Sequence, residues 1–279
     1  METKIIDGRK VRDEILVTVK NGIASLDFQP IFCDILVGDD AVSKQYVGMK
    51  ARTAEKVGIH FHNADFSASI TTEELIEEIK KINTIPNMCG VIVQLPLPKS
   101  IDQQKVFDAI DPHLDVDCLG TLASEKFYNN ENKIGFPTAL SCMQLLDSTG
   151  IDLKDKKIVV VGQGKLVGKP VVALCNFINL HPTIIVRETE NKEALIKEAD
   201  VIISATGHGK LILGAGLKEG AIIIDAGTSE SKGGIVGDVD LESVQGVAGF
   251  VSPVPGGVGP VTVAMLLNNV LQVAKGRKV

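Results

Sequence analysis

The sequence has no tryptophan, and its 279 positions hold only eleven aromatic residues, nine Phe and two Tyr. Proteins that grip single-stranded nucleic acid stack bases on aromatic rings, and this chain has few to offer. Positive charge is also in short supply. The 29 Lys and Arg face 35 Asp and Glu, for a net charge of −6, whereas phosphate backbones are held by clustered cations. Nucleic acid is therefore not expected as a partner. The five cysteines (Cys33, Cys89, Cys118, Cys142 and Cys175) are odd in number and contain no CxxC pair, which argues against a disulfide framework or a zinc site. Several lie in apolar runs, as Cys33 does in PIFCDILVG, and read as small buried hydrophobes. The five histidines show no metal-ligand spacing apart from His60 and His62, whose alternation reads as the solvated face of a strand. No apolar run reaches the roughly 18 residues that span a bilayer. The opening METKIIDGRKVRDE has charge but no apolar signal-peptide core. The expectation is a cytoplasmic protein with neither a membrane partner nor a metal.

Glycine, in contrast, is plentiful: 27 residues, of which 15 lie after Asp200. Glycine serves where the backbone turns sharply or approaches a ligand closely. At ~150 residues per domain the length suggests two domains. Short apolar runs alternate with amphipathic segments, the pattern of a parallel α/β sheet. Helices are expected over 8–24, 42–58, 72–83, 103–110, 138–150 and 261–275. Strands are expected in PIFCDILVG (30–38), IHFHNA, GVIVQ (90–94), KKIVVV, TIIVRE, DVIISATG and AIIIDAG. The stretch 121–137 is polar and weakly patterned, and reads as the end of a first lobe. The domains expected are 1–137 together with the final helix 261–279, and a Rossmann-type sheet over 138–260.

Five local patterns carry chemistry. Gly162-Gln163-Gly164-Lys165-Leu166-Val167-Gly168 follows the strand IVVV directly. Strand, glycine turn and helix start is the context in which backbone N–H groups meet a dinucleotide pyrophosphate. The spacing is GxGxxxG, one residue longer than the usual fingerprint, so a glycine-rich turn without a ligand stays open. Two more strands end near Thr206-Gly207 and Gly227-Thr228, along the edge where parallel sheets bind ligands. The next strand ends in Arg187-Glu188: the cation suits a 2′-phosphate and the carboxylate a ribose hydroxyl, so NADP and NAD both stay open. Tyr46 and Lys50 share a helical face, though a lone Lys on a helix is usually solvated and a Tyr usually packs. Gln94 ends an apolar strand just before Leu95-Pro96, either at a ligand edge or as a loop cap. Asp115 and Asp117 place two carboxylates on a loop, too few oxygens for a metal. Finally, SPVPGGVGPVT (252–262) holds Pro255-Gly256-Gly257 on a constrained path, either a rigid connector or the wall of a site.

Taken together and in this order, SKQYVGMK, GVIVQLPLP, DVDCLG, VVVGQGKLVGKP and SPVPGGVGPVTVAMLLNN resemble the bifunctional methylenetetrahydrofolate dehydrogenase/methenyltetrahydrofolate cyclohydrolase family over essentially the whole chain. The resemblance implies two α/β lobes enclosing a cleft: an N-terminal catalytic lobe that binds folate and a C-terminal Rossmann lobe that binds NADP, with NAD not excluded. It also implies a last helix returning to the first lobe, and a homodimer serving one-carbon metabolism and purine biosynthesis. By the same resemblance Tyr46 stacks on the folate, Asp117 hydrogen-bonds its ring, and Lys50 is the principal catalytic group, tuned by Gln94. Leu95, Pro96, Pro255, Gly256 and Gly257 would line the substrate. Gly162, Gln163, Gly164, Lys165, Val167, Gly168, Arg187, Thr206, Gly207, Gly227 and Thr228 would hold the cofactor. Where the family commonly has KDVDG this chain has Leu114-Asp115-Val116-Asp117-Cys118. A PCTP-like segment appears as Phe136-Pro137-Thr138-Ala139, and Gln163 stands where a cation is common. Two alternatives remain: another two-lobed NAD(P)-dependent dehydrogenase, for an amino-acid or shikimate-like substrate, and a catalytically silent folate or dinucleotide binder. The first does not account for QLPLP and PVPGGVGP together, and the second could dispense with Lys50.

Overall fold

The computed structural model describes residues 2–231 and 234–277. The chain divides into two units, one of residues 14–137 with 263–279 and the other of residues 1–13 with 138–262. The elements begin with β1 (Lys4–Ile5), α1 (Gly8–Ala24), β2 (Ile31–Val37), α2 (Ala41–Lys56), β3 (His60–Phe66), α3 (Thr72–Asn83), β4 (Met88–Val93), α4 (Gln103–Asp108) and α5 (Thr121–Tyr128). They continue with α6 (Pro137–Asp147), β5 (Ile158–Val161), α7 (Gly168–Phe177), β6 (Thr183–Ile185), α8 (Lys192–Glu198), β7 (Val201–Ser204) and β8 (Ile222–Asp225). A short hairpin of β9 (Ser229–Ser231) and β10 (Gly234–Val236), then β11 (Phe250–Val251) and α9 (Val258–Gly276), complete the chain.

The first unit is built on a three-stranded parallel sheet in the order β3-β2-β4. Successive side chains of a strand point to opposite faces, and β2 is apolar on both. Cys33, Ile35 and Val37 pack with Leu75 and Ile79 of α3. Phe32 packs on the other side with Val19 and Ile23 of α1, Ala54 of α2, and Leu266, Leu267 and Val270 of α9. The last helix thus joins the core of this unit. α3 starts where the sequence directs it: Thr71 accepts from the Glu74 amide while the Glu74 carboxylate accepts from the Thr71 amide, a reciprocal cap that satisfies two otherwise orphaned donors.

The second unit carries a six-stranded parallel sheet in the order β1-β11-β8-β7-β5-β6. The chain steps outward from β5 to β6, then returns to the far side of β5 as β7. A switch point thereby lies between β5 and β7, where sheets of this kind bind ligands beyond the strand ends. Two observations correct the sequence reading. Residues 1–13, assigned there to the N-terminal domain, belong to this second unit. β1 pairs with β11 in the register Ile5–Val251, a partnership 246 positions apart that no local pattern reveals. Secondly, the polar stretch 121–137 contains α5, two turns long, whose only buried residues are Ala123 and Phe127. Its anchor lies outside the helix but within the same stretch: Phe127 meets Phe136 edge-on at 5.0 Å. All five cysteines are free and buried.

Candidate active site

α2 opens on Asp40, whose carboxylate accepts from the Ser43 amide at 2.7 Å. Its buried stripe runs Ser43, Val47, Lys50, Ala54, a helical repeat that turns Lys50 inward. The usual solvation of a helix Lys is reversed here, because Lys50 is only 7% exposed while Tyr46, at the margin of the stripe, is 47% exposed.

Two strands supply the partners of the Lys50 ammonium. Asp34, mid-way along β2, places Oδ2 2.6 Å from Lys50 Nζ. Gln94, the residue after β4, accepts from Nζ through Oε1 at 2.7 Å. β2 and β4 are neighbours, with Asp34 opposite Ile92 and the Gln94 amide donating to Ile35 O at 2.8 Å, so the sheet ladder sets the spacing of both acceptors. The Gln94 side-chain nitrogen donates to Leu95 O, which leaves its oxygen to face the cation. Asp34 is fully buried, and its Oδ1 has no hydrogen-bond partner. Burial pushes its carboxyl above the ordinary range, and the charge and hydrogen bond of Lys50 pull it part of the way back. Sequence reading missed Asp34. The available signal was a lone acid in an otherwise apolar strand.

Asp115 and Asp117 divide their roles. Asp115 is buried and organises the loop: Oδ1 accepts from the Asp117 amide at 3.2 Å and Oδ2 from the Gly120 amide at 2.7 Å. Asp117 remains partly exposed. Its carboxyl is pushed up to about 7 by burial, drawn down by Lys50 and raised further by Asp115 and Asp34. Asn269 of α9, also unforeseen, donates through Nδ2 to Val116 O at 2.8 Å and Gly135 O at 2.6 Å, fastening both loop segments. One ammonium thus sits among acidic groups, a setting that favours cations and retained protons. Among the described residues, no group of three or more His, Cys, Asp and Glu could hold a metal ion.

In the other unit, the turn after β5 has the form a pyrophosphate requires. Gly162 adopts φ +95°, and a Cβ there would lie 2.6 Å from Ala205 O. At Gly168, the first residue of α7, a Cβ would fall 2.1 Å from Gly162 O. Gly164 faces open space. No side chain caps the α7 N-terminus at Val167; the Lys169 amide donates to Gly164 O at 3.2 Å and Pro170 carries no N–H, so the Gly168 amide is the one at the helix start that can face an anion. Gln163 folds back, its Nε2 donating to Gly162 O at 2.9 Å, while Lys165 and Arg187 are exposed. These features fit a bound dinucleotide. The parallel register places Val161, Ser204 and Asp225 side by side, which brings Gly162, Thr206-Gly207 and Gly227-Thr228 to one sheet edge.

A carboxylate network braces that edge. Asp238 Oδ2 accepts from Ser204 Oγ and the Thr206 amide, both at 2.7 Å. Asp225 accepts from the amides of Gly227, Asp238 and Val239, and burial raises its carboxyl to about 6 against those bonds. Gly227 is glycine because a Cβ would collide with the Asp238 carboxylate. Pro255-Gly256-Gly257 lies in this unit, with Gly256 at φ +110° and its carbonyl accepting from the Gly8 amide at 3.0 Å. The Leu95-Pro96 and Val254-Pro255 peptide bonds are cis. Lys50, Gln94, Asp117 and Asp34 belong to the first unit, as do Tyr46, Leu95 and Pro96.

A parallel sheet with a glycine turn at its switch point, together with a unit centred on a buried, carboxylate-paired lysine, defines a two-unit α/β enzyme of the dinucleotide-dependent class. Comparison with known proteins narrows the class. Residues 6–117 match the model of the tetrahydrofolate dehydrogenase/cyclohydrolase catalytic domain, and residues 137–278 that of its NAD(P)-binding domain. The chain belongs to the tetrahydrofolate dehydrogenase/cyclohydrolase family. It is 38% identical to a bifunctional protein FolD of Staphylococcus aureus, over 100% of this chain and 99% of that protein. Among solved structures it is similar to the bifunctional FolD dehydrogenase/cyclohydrolase of Campylobacter jejuni (32% identity, TM-score 0.93, 99% of this chain and 100% of that one). It is likewise similar to the Trypanosoma brucei enzyme complexed with NADP and an inhibitor (31% identity, TM-score 0.91, 99% and 98% covered).

Proposed function

We propose that this protein oxidises 5,10-methylenetetrahydrofolate to 5,10-methenyltetrahydrofolate with NADP, and hydrolyses the product to 10-formyltetrahydrofolate. The observation that carries the reading is the Lys50 ammonium held between Asp34 and Gln94 in the segment that matches the family's catalytic domain. Bound NADP supplies the hydride acceptor for the methylene carbon, a step that depends on alignment more than on acid–base groups. The α7 N-terminus and the turn Gly162–Gly168 hold its pyrophosphate, and Arg187 suits a 2′-phosphate.

Hydrolysis needs proton movement at stated atoms. Water adds to the methenyl carbon. Lys50, once its ammonium has given up a proton, takes one of the water protons at Nζ and passes it to folate N5, as the bond from N5 to the one-carbon unit breaks. The remaining hydroxyl proton leaves to solvent as the formyl C=O forms. Gln94 orients Nζ, Asp117 accepts a hydrogen bond from the folate ring, and the exposed Tyr46 ring stacks on it. The acidic surroundings of Lys50 favour a substrate that becomes cationic. The same reading takes the protein to be a cytoplasmic homodimer, and sedimentation checks its assembly.

The test mixes the protein with methylenetetrahydrofolate and either NADP or NAD, and follows the rise and decay of methenyl absorbance. Fast rise with NADP and fast decay support the reading. Methenyl product that persists for its spontaneous lifetime leaves a dehydrogenase alone, and absence of product with either cofactor leaves a silent binder.

A further inference from the structure

Asp34 is out of place by every local rule. Its face of β2 carries Phe32 and Leu36, both buried and apolar, and Phe32 packs with residues of α1, α2 and α9. A valine there would continue the core, and burying a carboxylate instead costs several kcal/mol unless it is paired. Its close partner among the described residues is Lys50 Nζ, at 2.6 Å. Among the described residues Oδ1 has no hydrogen-bond partner, so the carboxylate lacks the amide donors that draw the Asp115 and Asp225 carboxyls down against burial. A group accepting two or three such bonds is drawn toward the anion at both oxygens. Asp34, with one short contact to an ammonium and an empty second oxygen, is not.

We propose that Asp34 is a positioning residue that takes a proton from Lys50, so that the lysine meets the substrate as a neutral amine. The inference rests on the hydrolytic role proposed for Lys50. In the resting pair the charges are Lys50–NH3+ and Asp34–COO−. The N–H bond breaks and the O–H bond forms, giving Lys50–NH2 and Asp34–COOH with no change in total charge. A neutral pair is favoured in a site that excludes water, where two separate charges lose their hydration. It is favoured further by a methenyl cation, which repels an ammonium and tolerates an amine. After Lys50 has taken the proton of the attacking water and passed it to N5, Asp34 returns its proton to Nζ and the resting pair is restored.

The other titratable groups facing the pair are Asp65 of β3, which acts on Asp34, and Asp117 of the loop, which interacts with both members. Gln94 from the end of β4 faces Lys50 and does not titrate. Asp117 itself changes protonation near pH 7 and is raised in part by Asp34, so the ratio of variant to wild-type rate is also taken on an Asp117→Asn background, which removes that titration.

The experiment follows the decay of methenyltetrahydrofolate with full-length wild type, Asp34→Asn and Asp34→Val, from about pH 6 to about pH 9. Asn keeps the shape of Asp34 but cannot take the proton, and Val restores the apolar face should Asn disturb folding. Both variants are expected to lose about 10- to 100-fold in the hydrolytic kcat near neutral pH, with a smaller change in KM. The variant-to-wild-type ratio should climb with pH, because the ammonium must then surrender its proton to solvent. Oxidation of methylenetetrahydrofolate should fall by less than hydrolysis. A ratio that stays constant across the pH range, or wild-type hydrolysis by either variant, overturns the proton-taking role of Asp34 while leaving Lys50 as the hydrolytic group. Wild-type protein that fails to hydrolyse methenyltetrahydrofolate overturns the underlying reading and this inference with it.

Discussion

Replacing Lys50 by Met removes the cation paired with Asp34, and the consequence for stability can be worked out. Asp34 is 0% exposed and its ion pair is 2.6 Å long. Breaking a buried pair by removing one partner costs about 3–5 kcal/mol. In a protein of this size each kcal/mol lowers the melting temperature by about 2–4 °C, so the deficit is about 6–20 °C. The deficit depends on pH, with a definite sign. Burial already raises the Asp34 carboxyl above its ordinary value of 3.8, and Lys50 is what lowers it. Without Lys50 the folded-state value rises further. Between the unfolded and folded values the folded chain keeps a proton that the unfolded chain has lost, and stability falls with rising pH at about 1.4 kcal/mol per unit. Lys50→Met should therefore be close to wild type near pH 5 and clearly weaker at pH 8. Adding Asp34→Val removes the stranded carboxylate and should restore most of the loss, as apolar replacements of buried pairs do. Hydrolysis stays absent in both. Urea unfolding and calorimetry at the two pH values give the measurement, with separate transitions of the two units resolved rather than averaged. A Lys50→Met protein as stable as wild type at pH 8, or a double variant no better than the single one, would refute the reasoning.

Four other predictions concern the two units separately. The Asp117 carboxyl, raised to about 7, is protonated at pH 6 and ionised at pH 8, so the KM for folate should fall as pH rises through this interval and become level in Asp117→Asn; steady-state kinetics at several pH values checks it. Gly168→Ala forces a Cβ to within 2.1 Å of Gly162 O and should destabilise the fold by about 1–3 kcal/mol. Gly164→Ala meets open space, so its melting temperature should hold while NADP affinity drops, as calorimetric titration would show. Asn269→Leu strands the Val116 and Gly135 carbonyls at about 1–3 kcal/mol each, and should raise the folate KM along with lowering stability.

Much of the fold is legible because its signals are local. The β5 turn combines an apolar strand, glycines at fixed offsets and a helix start within about a dozen residues, and the α3 cap lies in four. Lys50 and Gln94 were readable as candidates for the same reason: one lies on a helix face, the other ends a strand. What stayed hidden depends on partners outside the element that carries them. The two buried residues of α5 are too few to show a period, and its anchor at Phe136 lies outside the helix. The Asp225–Asp238 brace links two strand ends through residues 13 apart, and neither aspartate is distinctive in sequence.

The sequence by itself determined the alternation of strands and helices, the dinucleotide turn and the family. Each is written in periodicity and glycine placement, which act over one or two elements. Only the tertiary structure decided that β1 completes the sheet of the second unit and that Lys50 is buried rather than solvated. It also decided that Asp34, hidden in an apolar strand, is the lysine's partner. Parallel pairing joins strands distant in the chain, and an ion pair forms wherever two side chains are brought within about 3 Å. A one-dimensional pattern does not encode that distance; the packing of α2 on β2 and β3, with Gln94 following the neighbouring β4, does.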